Sequence, residues 1–312
     1  MLNISYNISP RLREHLARIE DLRKKILLTP ISPANALKLR WEATFNRTYC
    51  SLKLSGNSLK KQEMLNILAE IAHKKMNNDQ KEVLKYKEAL DYIARTWPGS
   101  VNSISAKELI ELHKIIGNGH LRVPQGGLQH LLDYLQAKSE NPIIQAGVAN
   151  IEMEKMQLFK QHNKLIANLA SCVFLYKYGY DFRGFVAYET QWVEDNENYR
   201  QNNQRALESV NMTLWLEYFA SCILQQAELV AASLEKPKAK TLELRESFWR
   251  LNERQKSILS YLDSPQATII NRQIQRRFKT SQITASRDLA KLVNLGLLFS
   301  HGKGRSVYYT KI

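Results

Sequence analysis

Apolar side chains recur at spacings of three and four residues along most of the chain, which is the pattern of amphipathic helices. Leu12, Leu16, Ile19, Leu22 and Ile26 define one such face near the start of the sequence. The same spacing predicts helices within 59–75, 106–116, 128–138, 141–178 and 212–236. Alternation of β-branched residues is scarce before residue 265, so the sequence predicts a mainly α fold.

The pattern changes after a charged, proline-containing stretch at 235–246, which predicts a linker. Beyond it the predicted order is helix, short strand, helix, helix and hairpin, and Gly296 ends the third helix. A helical bundle followed by a small α+β domain accounts for both patterns. We therefore divide the chain into a helical N-terminal region at 1–100, a helical core at 101–236, a linker at 237–248 and a C-terminal domain at 249–312.

The charge balance favours an anionic partner. The 312 residues include 45 Lys and Arg against 30 Asp and Glu, a net charge of +15. From Trp249 onward there are 12 Lys and Arg against 3 Asp and Glu, so this tail carries +9 of the excess. Nucleic acid is the most common partner of such a surface and a membrane surface is a rarer one. A general basic or solubility bias would also produce the excess.

Other chemistry finds little support in the sequence. Cys50, Cys172 and Cys222 are widely spaced and form no metal-ligand motif, so we expect buried thiols in a reducing compartment and no metal site. The first residues lack the apolar stretch of a signal peptide, and no run reaches the ~18 apolar residues of a membrane span. We therefore expect a cytoplasmic protein without a membrane partner.

The C-terminal order of elements is that of a winged helix-turn-helix. Ala285, Leu289 and Leu292 recur at helical spacing and predict the inward face of the third helix. Candidate base-contacting residues at its start and on its outward side are Ser281, Gln282, Thr284 and Arg287. The pattern S-x-x-T-A-x-R-D-L-x-x-L followed by G-K-G-R-x-x-x-Y resembles the winged helices of bacterial regulators.

Basic residues around the third helix suit contacts with the phosphates of double-stranded DNA. Arg272, Arg276 and Arg277 fall on the second helix, and Lys303 and Arg305 fall at the predicted hairpin tip. A winged helix can instead serve protein contact or dimerisation. The basic balance of the tail favours DNA.

The central stretch 141–169 resembles the core of Fic-domain proteins, in which a helix leads into the motif H-P-F-x-(D/E)-G-N-G-R-x-x-R. The N-P-I at 141–143, Ala146 and Glu154 fall in register without a gap, and flanking helices extend the resemblance from residue 40 to the end. The resemblance implies a Fic-type helical bundle, with 1–100 as a Fic-associated region and 101–236 as the Fic-like core. It also implies transfer of AMP from ATP to a protein hydroxyl.

The motif residues that would carry this transfer are replaced. The resemblance places Gln157 where the family has a general-base histidine, and an amide cannot accept that proton. Gln161 stands in place of the acidic residue that holds Mg²⁺, and an amide is a poorer ligand for a hard cation. Only Phe159 and Asn163 match, so the packing residue is kept while the catalytic groups are lost.

The phosphate-binding part of the motif departs in the same way. His162 and Lys164 replace glycines, and Leu165 and Asn168 replace arginines. Asn163 and Lys164 are candidates for nucleotide binding, since a lysine at a helix N-terminus can pair with a phosphate. We prefer a solvated polar loop, and His162 as a displaced base is a weaker alternative.

A further departure concerns the segment S-x-x-x-E-G-N, by which family members restrain their own active site. Ser51, Ser55, Gly56 and Asn57 keep its frame, but Ser55 replaces the inhibitory glutamate. Asn203-Gln204 replaces the tyrosine pair that the family has near the nucleotide base. Loss of the inhibitor together with the machinery that it restrains implies that neither is needed.

These observations predict a Fic-fold protein with a degenerate site that acts as a DNA-binding transcriptional regulator, needs no cofactor and forms a homodimer on a palindromic site. One alternative is a protein adenylyltransferase with an altered motif, which would require ATP and Mg²⁺ and a protein target. Another is a partner or antitoxin of an intact Fic enzyme.

Overall fold

A computed structural model describes residues 4–69, 75–124, 126–137, 140–235, 249–264, 267–302 and 304–311. Most of these residues are helical, as the apolar spacing predicts. Eleven of the described helices precede residue 236, and we refer to them together as the body. They are α1 (Pro10–Leu28), α2 (Pro33–Leu54), α3 (Lys61–Ala69), α4 (Asn78–Thr96), α5 (Ala106–Ile116), α6 (Gly126–Ala137), α7 (Pro142–Met156), α8 (Asn163–Lys177), α9 (Glu189–Glu194), α10 (Asn196–Glu208) and α11 (Thr213–Glu235).

Local signals in the sequence set where several helices begin. Ser9 and Ser32 each accept a hydrogen bond from the first turn of a helix that starts with proline, whose missing N–H costs nothing there. Asn77 and Ser105 open α4 and α5 with capping boxes, the second of them formed with Glu108. These helix starts therefore follow from short-range chemistry.

The centre of the body is the antiparallel pair α7 and α8. Every residue from Ile143 to Met153 and from Leu165 to Leu175 is buried. A helix that is buried on all sides belongs inside a protein, surrounded by other helices. Gly147 lets α11 approach α7 closely, because a Cβ at this position would lie 2.8 Å from Leu216 Cδ2. The two helices on either side of the loop that resembles the Fic motif therefore lie at the core of the body.

The described residues after Trp249 form three short helices and a hairpin, in the predicted order. They are α12 (Glu253–Tyr261), α13 (Asn271–Phe278), α14 (Gln282–Asn294), β1 (Leu298–His301) and β2 (Tyr308–Lys311). The strands pair antiparallel, with Leu298 opposite Lys311. The strand predicted before α13 is reduced to one bridge between Ile269 and Tyr309, because the chain enters α13 at Asn271. We call these elements the C-terminal unit.

The C-terminal unit has its own apolar cluster. Ala285, Leu289 and Leu292 are fully buried in it, as their spacing predicts, together with Ile258 and Ile274. The predicted linker at 237–248 lies outside the described residues, and the domain boundaries stay predictions.

Three further observations bear on chemistry. None of the described helices is long and apolar enough to cross a membrane. Within the described ranges, no group of three or more His, Cys, Asp or Glu could hold a metal ion. The thiols of Cys50, Cys172 and Cys222 are free and buried.

Candidate functional site

The loop between α7 and α8 is closed by Asn163. Its Oδ1 accepts a hydrogen bond from Phe159 N at 2.9 Å, and its Nδ2 donates to Phe159 O at 2.8 Å. Nδ2 also donates to Gln157 Oε1 at 3.2 Å. Gln157 in turn donates from Nε2 to Glu154 O at 2.7 Å. Both ends of the Gln157 amide are therefore used to join the loop to itself and to α7.

His113 supports the loop from α5. Its ring stacks on buried Phe159 with 3.7 Å between centroids, and its Nε2 lies 3.0 Å from Gln161 O. Gly119 N donates to His113 Nδ1 at 3.1 Å, so Nε2 carries the proton and donates to the loop carbonyl. Burial lowers the pKa of His113, and the bond to Gln161 only partly opposes this. His113 is thus held neutral between two loops.

The turn after α5 lies against the same loop. Gly117 ends α5. Arg122 N then donates to Leu158 O at 2.7 Å, and Leu121 forms an antiparallel bridge with Phe159. The G-N-G at 117–119 is therefore a helix stop that also brings main chain to the candidate site.

His162 faces α4. Its backbone has φ of 61°, a left-handed conformation that favours glycine, which the Fic motif has at this place. Its Nδ1 lies 3.3 Å from Glu82 Oε1, and the other oxygen of Glu82 accepts from Asn57 Nδ2 at 2.7 Å. Burial alone would raise the pKa of Glu82, but the bonds from His162 and Asn57 outweigh it and lower the pKa. Glu82 therefore links the loop to the chain that follows α2.

Lys164 is half-buried and faces α10. Its Nζ lies 4.9 Å from the centroid of the Tyr199 ring. Burial lowers the pKa of Lys164, and Glu154 opposes that shift. Buried Asn203 donates to Glu154 Oε2 at 3.2 Å, whereas Gln204 is exposed.

The expectation of a solvated loop is therefore correct only in part. Lys160 and Gln161 are exposed, but Asn163 bonds to Phe159 within the loop and Lys164 lies over Tyr199 of α10. Tyr199 is far away in the chain, which explains why the local sequence does not predict its contact with Lys164.

The two motif arginine positions are filled by neutral buried side chains. Leu165 is 0% exposed and Asn168 is 1% exposed. Asn168 Oδ1 accepts from Asn150 Nδ2 at 3.0 Å, and Asn168 Nδ2 donates to Ser51 Oγ at 3.3 Å. No formal charge enters this hydrogen-bonded chain.

In the segment that resembles the family's inhibitory helix, one end is buried and the other end is exposed. Ser51 is buried against Asn168, whereas Ser55 is exposed at the end of α2. Gly56 has φ of 94°, a turn that glycine favours, and Asn57 donates to Asp79 O at 3.2 Å. The frame is a helix end and turn, and it is Ser51 that touches the position aligned with the second motif arginine.

A buried ion pair near this chain was not predicted from the sequence. Arg47 Nε lies 3.3 Å from Glu189 Oε2, with side chains 6% and 0% exposed. The guanidinium also lies over the rings of Tyr188 and Tyr176, at 5.3 Å and 5.6 Å from their centroids. Burial raises the pKa of the Glu189 carboxyl and Arg47 opposes that rise. The pair joins α2 to α9 beneath the candidate site.

The predicted DNA-contacting residues of α13 and α14 lie mostly on the solvent-exposed sides of these helices. Ser281 caps α14 by accepting from Thr284 N at 3.2 Å. The exposed residues of the set are Arg272, Arg276, Arg277, Ser281, Gln282 and Arg287, and Thr284 is half-buried. Arg277 lies 4.9 Å from the centroid of the Tyr261 ring. Lys303 and the side chain of Arg305 lie outside the described residues.

The three acidic residues of the tail are paired with basic ones elsewhere. Asp288 is buried and pairs with Arg254, Glu253 pairs with Lys256 at 2.7 Å, and Asp263 pairs with Lys311. Arg272, Arg276 and Arg287 form no ion pair with any residue of the described ranges. Asp288 lies on α14 but is buried, so the positive charge of the unit is least neutralised on the exposed sides of α13 and α14.

Comparison with known proteins identifies the fold. No protein-family model matches the sequence and no curated protein matches it. A crystal structure of a Fic family protein from Desulfovibrio desulfuricans G20 covers 99% of this chain and 98% of its own, with a TM-score of 0.62 and 13% identity. A Fic domain containing signaling protein from Bacteroides thetaiotaomicron VPI-5482 covers 72% and 98%, with a TM-score of 0.55 and 18% identity.

A third match is Fic-1 from C. elegans, with a TM-score of 0.58, 18% identity and coverage of 73% of this chain and 74% of that one. The chain therefore has a Fic-type, mainly helical fold with a small C-terminal hairpin. At these identities the likeness is one of fold, and the chemistry has to be argued from the residues.

Proposed function

We propose that this Fic-fold protein is a DNA-binding transcriptional regulator, that residues 249–312 form a winged helix-turn-helix, and that the loop at 157–164 no longer transfers AMP. The observation that carries the proposal is the distribution of charge in the C-terminal unit. Its three acids are paired with other basic residues, Asp288 on the buried side of α14, and the four exposed arginines of α13 and α14 have no acidic partner among the described residues.

The way α14 is held supports the same function. Asn271 Nδ2 donates to Ser286 Oγ at 2.8 Å, which fixes the first turns of α14 against α13. Ala290, Val293 and Asn294, near the other end of α14, face the body. The N-terminal part of a recognition helix is the part that reaches base edges in the major groove, and here it is the part left exposed.

The geometry of the loop supports the loss of transferase activity. A general base must be free to take a proton from the attacking hydroxyl. The Gln157 amide cannot do this, and both of its ends are used in hydrogen bonds within the loop. The arginine positions that would face phosphate hold Leu165 and Asn168, which are buried and neutral. Asn163 and Lys164 remain the residues for which nucleotide binding would be tested.

The first experiment is selection of genomic DNA fragments by the purified protein at about 150 mM salt, where non-specific phosphate contacts are weakened. We expect an enriched, palindromic site read by a homodimer. Affinity for that site is then measured by fluorescence anisotropy at several salt concentrations. Binding that is purely salt-sensitive, with no enriched sequence, would contradict the regulatory function.

Three variants separate base contacts from phosphate contacts. Arg287→Ala is expected to weaken binding to the selected site by about 1–3 kcal/mol and to leave non-specific binding almost unchanged. Arg272→Ala and Arg276→Ala are expected to weaken binding to all sequences and to reduce the salt slope by about 1 each. Lys81→Ala, an exposed lysine on α4, is the matched control and should have no effect.

The transferase alternative has its own test, which is transfer of label from ATP to a protein in the presence of Mg²⁺. We expect none. Transfer that a Gln157→Ala substitution abolishes would overturn the proposed loss of activity without affecting the DNA-binding result. Co-purification of an intact Fic enzyme would favour the partner alternative.

A further inference from the structure

A cleft of about 880 Å³ separates the body from the C-terminal unit. Its walls carry several apolar and aromatic side chains from both sides. The body contributes Trp41, Leu84 and Tyr92, and the C-terminal unit contributes Val293, Leu298 and Phe299. Clefts of this size between structural units are common sites for small organic ligands.

A cation–π contact joins the two walls. On α4, the guanidinium of Arg95 lies 4.8 Å from the centroid of Phe299 and 5.6 Å from that of Tyr92. On the wall of the body, the Trp41 ring meets the Trp249 ring edge-on, with 5.6 Å between centroids. Arg95 of α4 and Phe299 of β1 therefore connect the two sides of the cleft.

The charges on the walls favour an anion. Arg95 and Arg40 line the cleft, and neither forms an ion pair with a carboxylate of the described ranges. Arg40 instead donates from Nε to Arg183 O at 3.1 Å. Arg183 also lines the cleft, and its guanidinium donates to two main-chain carbonyls, that of Thr29 at 2.9 Å and that of Ile26 at 3.5 Å.

The acidic groups of the cleft are less available than these arginines. Asp91 accepts from Lys87 Nζ at 2.6 Å. Asp181 is half-buried, and burial raises the pKa of its carboxyl. Glu88 remains as an exposed carboxylate on α4. Three guanidiniums beside apolar walls therefore outnumber the one carboxylate that is fully exposed, that of Glu88.

We propose that this cleft binds a small aromatic organic anion, with the rings between Trp41 and Phe299 and the acidic group at Arg95 and Arg40. Transfer of the apolar rings of the ligand from water into the cleft is favourable, and a guanidinium is the cation that best matches a carboxylate or sulfonate group. A ligand in this position would contact both the body and the C-terminal unit. Its effect on DNA binding rests on the proposed function, whereas its binding does not.

The probe is 1-anilinonaphthalene-8-sulfonate, whose emission increases in apolar sites, added to the full-length protein without DNA. N-phenyl-1-naphthylamine has the same rings without the sulfonate and serves as the neutral probe. We expect saturable binding of one sulfonate probe per chain, with the neutral probe bound about tenfold more weakly. Binding of many sulfonate probes per chain, or equal affinity for the two probes, would overturn the proposal.

Substitutions locate the site. Arg95→Gln and Arg40→Gln are expected to weaken the sulfonate probe by about tenfold each and to leave the neutral probe nearly unchanged. Phe299→Ala should weaken both probes, because it removes a ring from the C-terminal wall. Arg13→Gln, an exposed arginine on α1, is the matched control. Circular dichroism checks that each variant is folded, and unchanged sulfonate-probe affinity in all three cleft variants would overturn the proposal.

A final measurement separates this proposal from the proposed function. The sulfonate probe is added to the protein bound to its selected DNA, and the DNA affinity is measured again. Probe binding without selective DNA binding would leave the cleft site standing and remove the regulatory function. Selective DNA binding without saturable probe binding would support the regulatory function and overturn the proposed cleft site.

Discussion

Replacing Asn168 with the arginine that the resemblance to the Fic motif implies at this position is expected to destabilise the body strongly. Asn168 is 1% exposed and lies between Asn150 and Ser51. An arginine side chain is longer and carries a charge that would have to leave water. The variant therefore tests whether the site has been repacked or has only lost single groups.

The size of the effect follows from the contacts that change. Loss of the bonds to Asn150 and Ser51 costs about 1 kcal/mol each. A buried guanidinium without a partner adds several kcal/mol. The carboxylate of Glu189 cannot serve as that partner without loss, since Arg47 already uses it at 3.3 Å. Arg47 and Ser51 share one face of α2, so the new charge would also approach a like charge.

We therefore expect the free energy of unfolding to fall by at least about 4 kcal/mol, a large part of the 5–15 kcal/mol typical of folded proteins. Urea denaturation is followed by tryptophan fluorescence and by far-UV circular dichroism, and coincident curves justify conversion of midpoints into free energies. Gln161→Arg adds the same side chain at an exposed position of the loop and is expected to change stability by less than about 0.5 kcal/mol.

A variant Asn168→Arg as stable as the wild type would refute this reasoning. It would mean that α8 has room and a counter-charge for the motif arginine, and that the site could regain it without rearrangement.

Three other predictions concern the loop, its pH dependence and the C-terminal unit. Asn163→Ala removes the hydrogen bonds that close the loop and should lower the free energy of unfolding by about 2 kcal/mol, measured by urea denaturation. An unchanged urea midpoint would contradict this prediction, and Lys160→Ala, at an exposed position of the same loop, is the control. Burial lowers the pKa of His113, so as the pH falls the imidazole of the unfolded chain is protonated at a higher pH than that of the folded chain. Stability should be full above about pH 6.5 and fall as the pH decreases from there, and His113→Gln should flatten that part of the Tm profile. Asp288→Ala removes the buried acceptor of Arg254 and should cost the C-terminal unit about 2 kcal/mol, measured by thermal circular dichroism, whereas loss below about 0.5 kcal/mol would argue against a structural role.

The sequence was sufficient for several of the helices and for the fold class. Apolar spacing acts over a few positions, so it can be recognised without knowing the tertiary structure. The inward face of α14 is an example, and it agrees with the structure. The helices α4 and α10 were not predicted.

The contacts of the candidate site could not be predicted in the same way. His113 reaches Gln161 across 48 positions, and no periodicity relates one to the other. Arg47 and Glu189 are charged residues that a sequence pattern would place at the surface, yet they neutralise each other inside. Helical spacing tells which side of a helix is buried but not which side chain it meets.

The shape of the loop is explained by contacts within this chain and is not by itself an argument for catalysis. His162 has a left-handed backbone, which costs a non-glycine residue roughly 1–2 kcal/mol. The conformation is held by the contact of His162 with Glu82, by the bonds of Asn163 and by the stacking of Phe159 on His113. His162 and Phe159 are thus engaged with α4 and α5, and Asn163 is engaged within the loop. Under the proposed function, the exposed arginines of α13 and α14 are therefore the stronger candidates for contact with an anionic partner.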